Sequence, residues 1–240
     1  MTREDFASRL GERVEMGTST KKRQTWLGAV SAVLMAVFLY MCFFYAPEDL
    51  AQGPVQRVFY PHVGSAWVAG LAFFVVFVTS ILYLATRDLK WDAWAAASAE
   101  VGLLFTSGTL VLGMIWGKSF WGTYWAWDPR LTSVLVLWLL YLAYTALRAY
   151  VVEPTRRARF SSVLGIVAFL DVPIIYFSVK WWRTQHPSLV IEGGKAAMPT
   201  PMLQTLIFGT ITFTFFYLYL ATMRMRMARL DRQARLEGTL

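Results

Sequence analysis

One cysteine, Cys42, is all the thiol chemistry this chain has, so no disulfide can form within it. Cys42 lies inside an apolar run, where it reads as an inert small hydrophobe. Histidine is almost as scarce, with only His62 and His186. Charge is thin too: 16% of residues are Asp, Glu, Lys or Arg, against roughly 25% in ordinary soluble domains. No stretch alternates apolar and polar residues along its length, which excludes a transmembrane β-barrel. A phosphate-binding loop is also missing. Gly113-Met114-Ile115-Trp116-Gly117-Lys118-Ser119 resembles one, but it is a residue short and follows an apolar helix rather than a strand. Its two glycines read instead as small residues that let helices pack closely. Any ATP dependence would have to come from a partner.

What the chain has in excess is apolar surface. Hydrophobic residues make up 57% of the 240, and the mean hydropathy is +0.45. Six apolar runs cover approximately Thr25–Ala46, Pro61–Ala85, Ala93–Trp116, Leu131–Val152, Phe160–Val179 and Met202–Met223. Each is close to the ~20 residues a helix needs to cross ~30 Å of hydrocarbon. Helices are the assignment that satisfies every backbone group inside lipid. The expected fold is therefore all-α, an integral membrane bundle of six transmembrane helices. Residues 1–24 form a cytoplasmic segment, 25–223 the membrane domain, and 224–240 a cytoplasmic tail. Phe6, Leu10 and Val14 are spaced four apart, which predicts a short amphipathic helix on the membrane surface. This start is not expected to be a cleavable signal peptide, because its charged and apolar parts are both too long.

Basic residues set the orientation. Six lie before the first span, two in the second loop, four in the fourth loop and five after the last span. Those 17 share one side of the membrane and only 6 fall on the other. The positive-inside rule places both termini in the cytoplasm. The same distribution removes the nucleic-acid reading that a net charge of +8 would otherwise invite. Facing outward are Pro47–Tyr60, the tryptophan-rich loop 117–130 and Lys180–Pro201. Within the spans lie two acids, Glu100 and Asp171, expected to hydrogen-bond between helices or to belong to a proton or ligand path. Pro173 should kink the fifth span and free a carbonyl.

The chain is organised around Trp121-Gly122-Thr123-Tyr124-Trp125-Ala126-Trp127-Asp128, with Trp116 ahead of it and Pro129-Arg130 behind. Taken singly, each tryptophan fits an interfacial aromatic belt. Taken together on a glycine-bearing loop that ends in a carboxylate, they form a surface suited to a large, flat, apolar ligand. His62 and His186 stand in the outer loops before and after this one. Neutral imidazole is a common iron ligand, and two can fill both axial positions of a haem. Zinc would ask for three or four ligands. With a single cysteine there is no Cys-x-x-Cys-His attachment site, so a haem here would not be tethered by that route.

These residues resemble the "WWD" motif of the haem-handling proteins of cytochrome c maturation. Six spans, a length near 240 and one histidine in each flanking outer loop make the chain similar to the haem exporter protein C family, CcmC, over essentially its whole length. The larger relatives CcmF and CcsA share the motif but carry more histidines. The resemblance implies a protein of the bacterial inner membrane that holds haem at the periplasmic face and passes it to a periplasmic chaperone, CcmE. Its implied partners are the ATPase CcmA with CcmB and CcmD. Carried over residue by residue, His62 and His186 would be axial ligands, and Trp116, Trp121, Trp125, Trp127 and Asp128 the haem and chaperone surface. Location alone suggests Arg57, Arg130 and Arg183 as partners of the propionates. Two alternatives stand beside this reading. One is a lyase joining haem to apocytochrome c, for which the outer loops are short. The other is an electron-transfer subunit, which would place its histidines near mid-membrane.

Overall fold

The computed structural model describes residues 3–186, 191–192, 195–196 and 198–236. Among them, six helical stretches are long and apolar enough to cross a membrane: Lys22–Tyr45, Pro54–Thr86, Leu89–Trp121, Pro129–Tyr150, Pro154–Trp181 and Thr200–Asp231. Every expected run is thus present, and most are longer than their apolar windows. The first helix, α1, runs unbroken from Arg3 to Tyr40, so the expected separate amphipathic helix is instead the start of the first span's own helix. A π-helical turn, Met41–Tyr45, ends that span with Cys42 buried in it.

The next helices, α2 (Phe59–Thr86) and α3 (Leu89–Trp121), are joined by a two-residue turn. Arg87 takes the left-handed conformation there, with φ 59°, and closes α2. The Asp88 carboxylate caps α3 by accepting from the Lys90 N–H at 2.9 Å. Helices α4 (Pro129–Tyr150) and α5 (Pro154–Phe169) both begin with an acidic cap followed by proline, Asp128-Pro129 and Glu153-Pro154. That pairing is favoured because proline's missing N–H is unneeded in the first turn. The fifth span is divided at Leu170 into α5 and α6 (Asp171–Trp181). Pro173, in the first turn of α6, lacks the N–H that would bond the Phe169 carbonyl, and the helix is interrupted at Leu170, where the kink was expected. A two-residue antiparallel ladder, Ile191–Glu192 with Lys195–Ala196, lies in the loop before α7 (Thr200–Leu236).

Helix α2 is the central element, buried along Val68, Ala72, Phe73 and Val76. Phe73 stacks on Tyr141 of α4 at 3.6 Å between ring centres. Gly102 of α3 makes room for it, since a Cβ there would meet Phe73 Cε1 at 2.5 Å. The chain ends share one end of the bundle: Gln24 of α1 donates to the Thr222 carbonyl at 3.1 Å and accepts from Arg226 at 2.7 Å. Glu100 pairs with Arg224 across α3 and α7, the interhelical bond expected of it. Asp171 differs, because its buried Oδ2 accepts no hydrogen bond. A third acid had not been counted. Since α3 starts at Leu89, Asp92 is inside it and receives both nitrogens of Arg148 at 2.5 and 3.0 Å.

Candidate functional site

At the opposite end, the start of α2, the end of α3, the start of α4 and the loop after α6 converge. His62 sits in the first turn of α2 and is buried. Its Nδ1 lies 3.1 Å from the Thr109 carbonyl on α3. A carbonyl can only accept, so Nδ1 carries the proton and Nε2 keeps its lone pair. This is the backbone support that metal-ligating histidines commonly have. Gly113, one turn on from Thr109, gives the ring its place, because a Cβ there would meet His62 Cε1 at 3.1 Å. The role expected for the glycines therefore changes. Gly113 receives an imidazole, and a Cβ on Gly117 would meet the Trp121 ring at 3.0 Å.

His186, in the loop after α6, faces His62 with ring centres 6.3 Å apart and planes at 89°. Its Nδ1 is buried without a partner. Burial, the Arg130 charge and the neighbouring His62 push its pKa down to about 3, against a smaller opposing pull from Asp128. The ring is neutral throughout the physiological range and free to donate a lone pair.

Between and beside them is a cavity of about 590 Å³, its open mouth included, walled by His62, His186, Trp121, Trp125, Arg130 and apolar side chains such as Leu110, Val134 and Ile175. Its enclosed part is only about 100 Å³, below the ~300–1,000 Å³ usual for ligand sites, so a large flat ligand would have to enter through the open mouth. Two polar side chains in the wall make no direct bond to protein among the described residues, although the Asp128 charge acts on Arg130. Trp125 Nε1 is buried and unbonded, and Arg130 has no ion pair among the described residues. An apolar, aromatic slot with two imidazoles, a free guanidinium and a free indole N–H has the donor set for a flat ligand carrying iron and carboxylates.

Trp116 does not line the cavity. It is buried behind both imidazoles, with ring centres 6.0 Å from His62 and 6.2 Å from His186. Its indole N–H donates to Gln52 at 2.8 Å, tying the loop between α1 and α2 to this wall. Asp128 is buried as well, and it acts as a clasp. One oxygen caps α4 by accepting from the Arg130 and Leu131 N–H groups at 2.9 and 3.4 Å. The other accepts from the Gln185 N–H at 2.8 Å, next to His186. Burial raises the Asp128 pKa, but bonds from Thr184, Gln185, Arg130 and Leu131 outweigh it and hold the carboxyl below its usual range. Trp127 is 78% exposed and leans on Trp125 edge to face at 5.6 Å. With Arg183 it borders a separate outer groove over Asp128 and Gln185. Arg57 lines neither space and pairs with Glu48 at 3.4 Å.

Of the residues singled out in the sequence, the structure brings His62, His186, Trp121, Trp125 and Arg130 together around one cavity. Thr109, Gln52 and Gln185 were missed. For Thr109 a signal existed, since its spacing of four from Gly113 puts both on one face of α3.

The sequence profile of Heme exporter protein C (CcmC) matches residues 6–239. The Heme exporter protein C of Bradyrhizobium diazoefficiens is 40% identical over 189 residues, 78% of this chain and 72% of the relative. That of Haemophilus influenzae is 37% identical over 193 residues, 76% of each. With its six spans, and with a match along nearly its whole length, the chain belongs to the heme exporter protein C family.

Proposed function

We propose that the chain transfers haem for cytochrome c maturation, holding haem b at the periplasmic end of its bundle and delivering it to the haem chaperone CcmE. The observation that carries this reading is the convergence of His62 and His186 on a cavity walled by Trp121, Trp125 and Arg130. Haem is cargo here. It brings the iron and the two propionates, and the chain's residues do the holding.

His62 offers Nε2, its tautomer set by the Thr109 carbonyl, and His186 offers the second axial nitrogen. Trp121 and Trp125 cover the apolar porphyrin, while Arg130 and the Trp125 indole N–H take a propionate. Both histidines stand at the bundle's edge rather than at mid-span, which favours delivery over a fixed electron-transfer haem. Release runs through the clasp. A partner seated on the groove beside Trp127 and Arg183 would lie against the Asp128–Gln185 bond, whose loosening frees the His186 loop. The basic bias supports a periplasmic location for this end and cytoplasmic termini in an inner-membrane protein. CcmA, CcmB and CcmD are the expected neighbours, and CcmA would supply the ATP hydrolysis for which this chain has no site.

An absorption spectrum of the purified protein, alone and with the chaperone, tests the reading. A low-spin bis-histidine spectrum is expected. His62→Ala or His186→Ala should lose it, and added imidazole should restore it. Unchanged spectra in both variants would return the histidines to ordinary helix-end residues. Reporter fusions after Arg130 and Lys90 test the orientation, with an outside signal expected from the first and an inside signal from the second.

A further inference from the structure

The end of the bundle that carries the chain termini has a cleft of its own, about 640 Å³ with its open mouth included. Arg23 of α1 and Arg226 and Arg229 of α7 line it, over a floor of Trp94, Leu27 and Met225. Arg23 lies next to the start of the first span and Arg229 close to the end of the last. The cleft is therefore at headgroup depth, with apolar side chains on its inward side.

Its arginines differ from their neighbours. Arg148 and Arg224 at this end are neutralised by Asp92 and Glu100. Arg23, Arg226 and Arg229 have no acidic partner among the described residues. Arg226 is held in place by a neutral group, the Gln24 carbonyl oxygen, at 2.7 Å. Gln24 is itself buried and spends its N–H on the Thr222 carbonyl. The Arg226 side chain is thus positioned without losing charge. A general excess of basic residues on one side of a membrane needs no such concave, acid-free arrangement.

We propose that this cleft binds the phosphate headgroup of an anionic membrane phospholipid. The guanidiniums take the phosphate by charge-assisted bonds. Trp94, Leu27 and Met225 lie along the glycerol and the first carbons of the acyl chains. Basic pockets between helices at this depth suit such headgroups, and the lipid bridges α1, α3 and α7. The inference depends on the bundle being in a membrane and is independent of the haem reading.

Thermal unfolding of the full chain in uncharged detergent tests it, titrated with phosphatidylglycerol, phosphatidylcholine or inorganic phosphate. Phosphatidylglycerol should raise the midpoint and the other two should not. Each basic residue beside an anionic headgroup contributes roughly fivefold in affinity, so Arg23→Ala with Arg229→Ala should weaken the response roughly 25-fold. Both side chains are exposed, so the fold should survive. Arg23→Lys with Arg229→Lys keeps the charge and should keep most of the response. Arg156→Ala with Arg159→Ala removes equal charge from α5 at the same end and should change nothing. Equal losses in the two alanine pairs would overturn the site as a mere basic surface. Protection by inorganic phosphate alone would assign it to a free anion instead. A cleft variant with full lipid response that no longer co-purifies with transporter subunits would make the cleft a protein interface and overturn the lipid assignment.

Discussion

Two arginines at opposite ends of the bundle, Arg148 and Arg130, meet opposite surroundings. At the end with the chain termini, Arg148 is buried against Asp92 and shares Ser161 at 3.1 Å, so its charge is matched inside the protein. At the other end, Arg130 lines a cavity beside two neutral imidazoles with no ion pair among the described residues. A buried charge is expensive unless something answers it. The first arginine has its answer within the fold and holds three helices together. The second has only the nearby Asp128 charge acting on it, without an ion pair, which leaves its guanidinium available to an anionic ligand.

The sharpest way to break this contrast is to delete both arginines in turn. Arg148→Ala leaves Asp92 buried and uncompensated, and should cost about 3–5 kcal/mol in denaturant unfolding. Arg130→Ala should leave the unfolding midpoint in place and weaken haem binding by about 1.5–3 kcal/mol, the worth of a charged hydrogen bond. Were Arg130 the residue whose loss unfolds the protein, the contrast would fail.

The aromatic groups sharpen the same division within the end that carries the histidines. Trp121→Ala and Trp125→Ala should each lower haem affinity by ~1–3 kcal/mol while the protein still inserts. Trp127, exposed and outside the cavity, should spare haem binding by the isolated protein and reduce loading of the chaperone. Equal effects of all three on a haem titration would mean that the tryptophans act as a belt.

Asp128→Ala removes a helix cap and the tie to the His186 loop together. The stability loss should be only ~1 kcal/mol, with insertion intact, while haem delivery falls. Normal cytochrome c production from a well-expressed Asp128→Ala protein would remove the clasp from the mechanism.

The smallest effect concerns pH. His186, pushed down from 6.5 to about 3 in the folded state, stays neutral where the unfolded chain would take up a proton. Its share of the stability of the haem-free protein is therefore complete above 6.5 and declines as pH falls toward 3. The Asp128 carboxyl, held below its usual range, adds stability above the ordinary carboxylate pKa that is lost as pH falls through its folded value. Axial coordination should survive at about pH 5, where a histidine of ordinary pKa would be almost fully protonated. Loss of the spectrum between pH 7 and 6 would show that the imidazole titrates as if exposed.

Much of this was legible in the chain itself. The six spans, the break near Pro173 and the flanking positions of the two histidines are local properties. Helix ends were less legible. Asp92 was overlooked because the apolar window begins one residue later, whereas the helix begins at Leu89, set by the Asp88 cap. Asp171 was expected to bond across helices, and its inner oxygen bonds nothing. Gly113 and Gly117 carried a signal for close approach, but what approaches is an imidazole and an indole rather than a second helix.

The sequence by itself determined that this is a six-span helical protein with both histidines and the tryptophan-rich loop at one end, because run length and basic bias are read residue by residue. It could not determine which polar groups meet. His62 and Thr109 are 47 positions apart, Asp128 and Gln185 are 57, and Gln52 and Trp116 are 64. A helix that is apolar on all sides gives no sign of which face turns inward. Only the rotation and register of packed helices decide which tryptophans line the cavity, which one backs the imidazoles, and which arginine is left for the ligand.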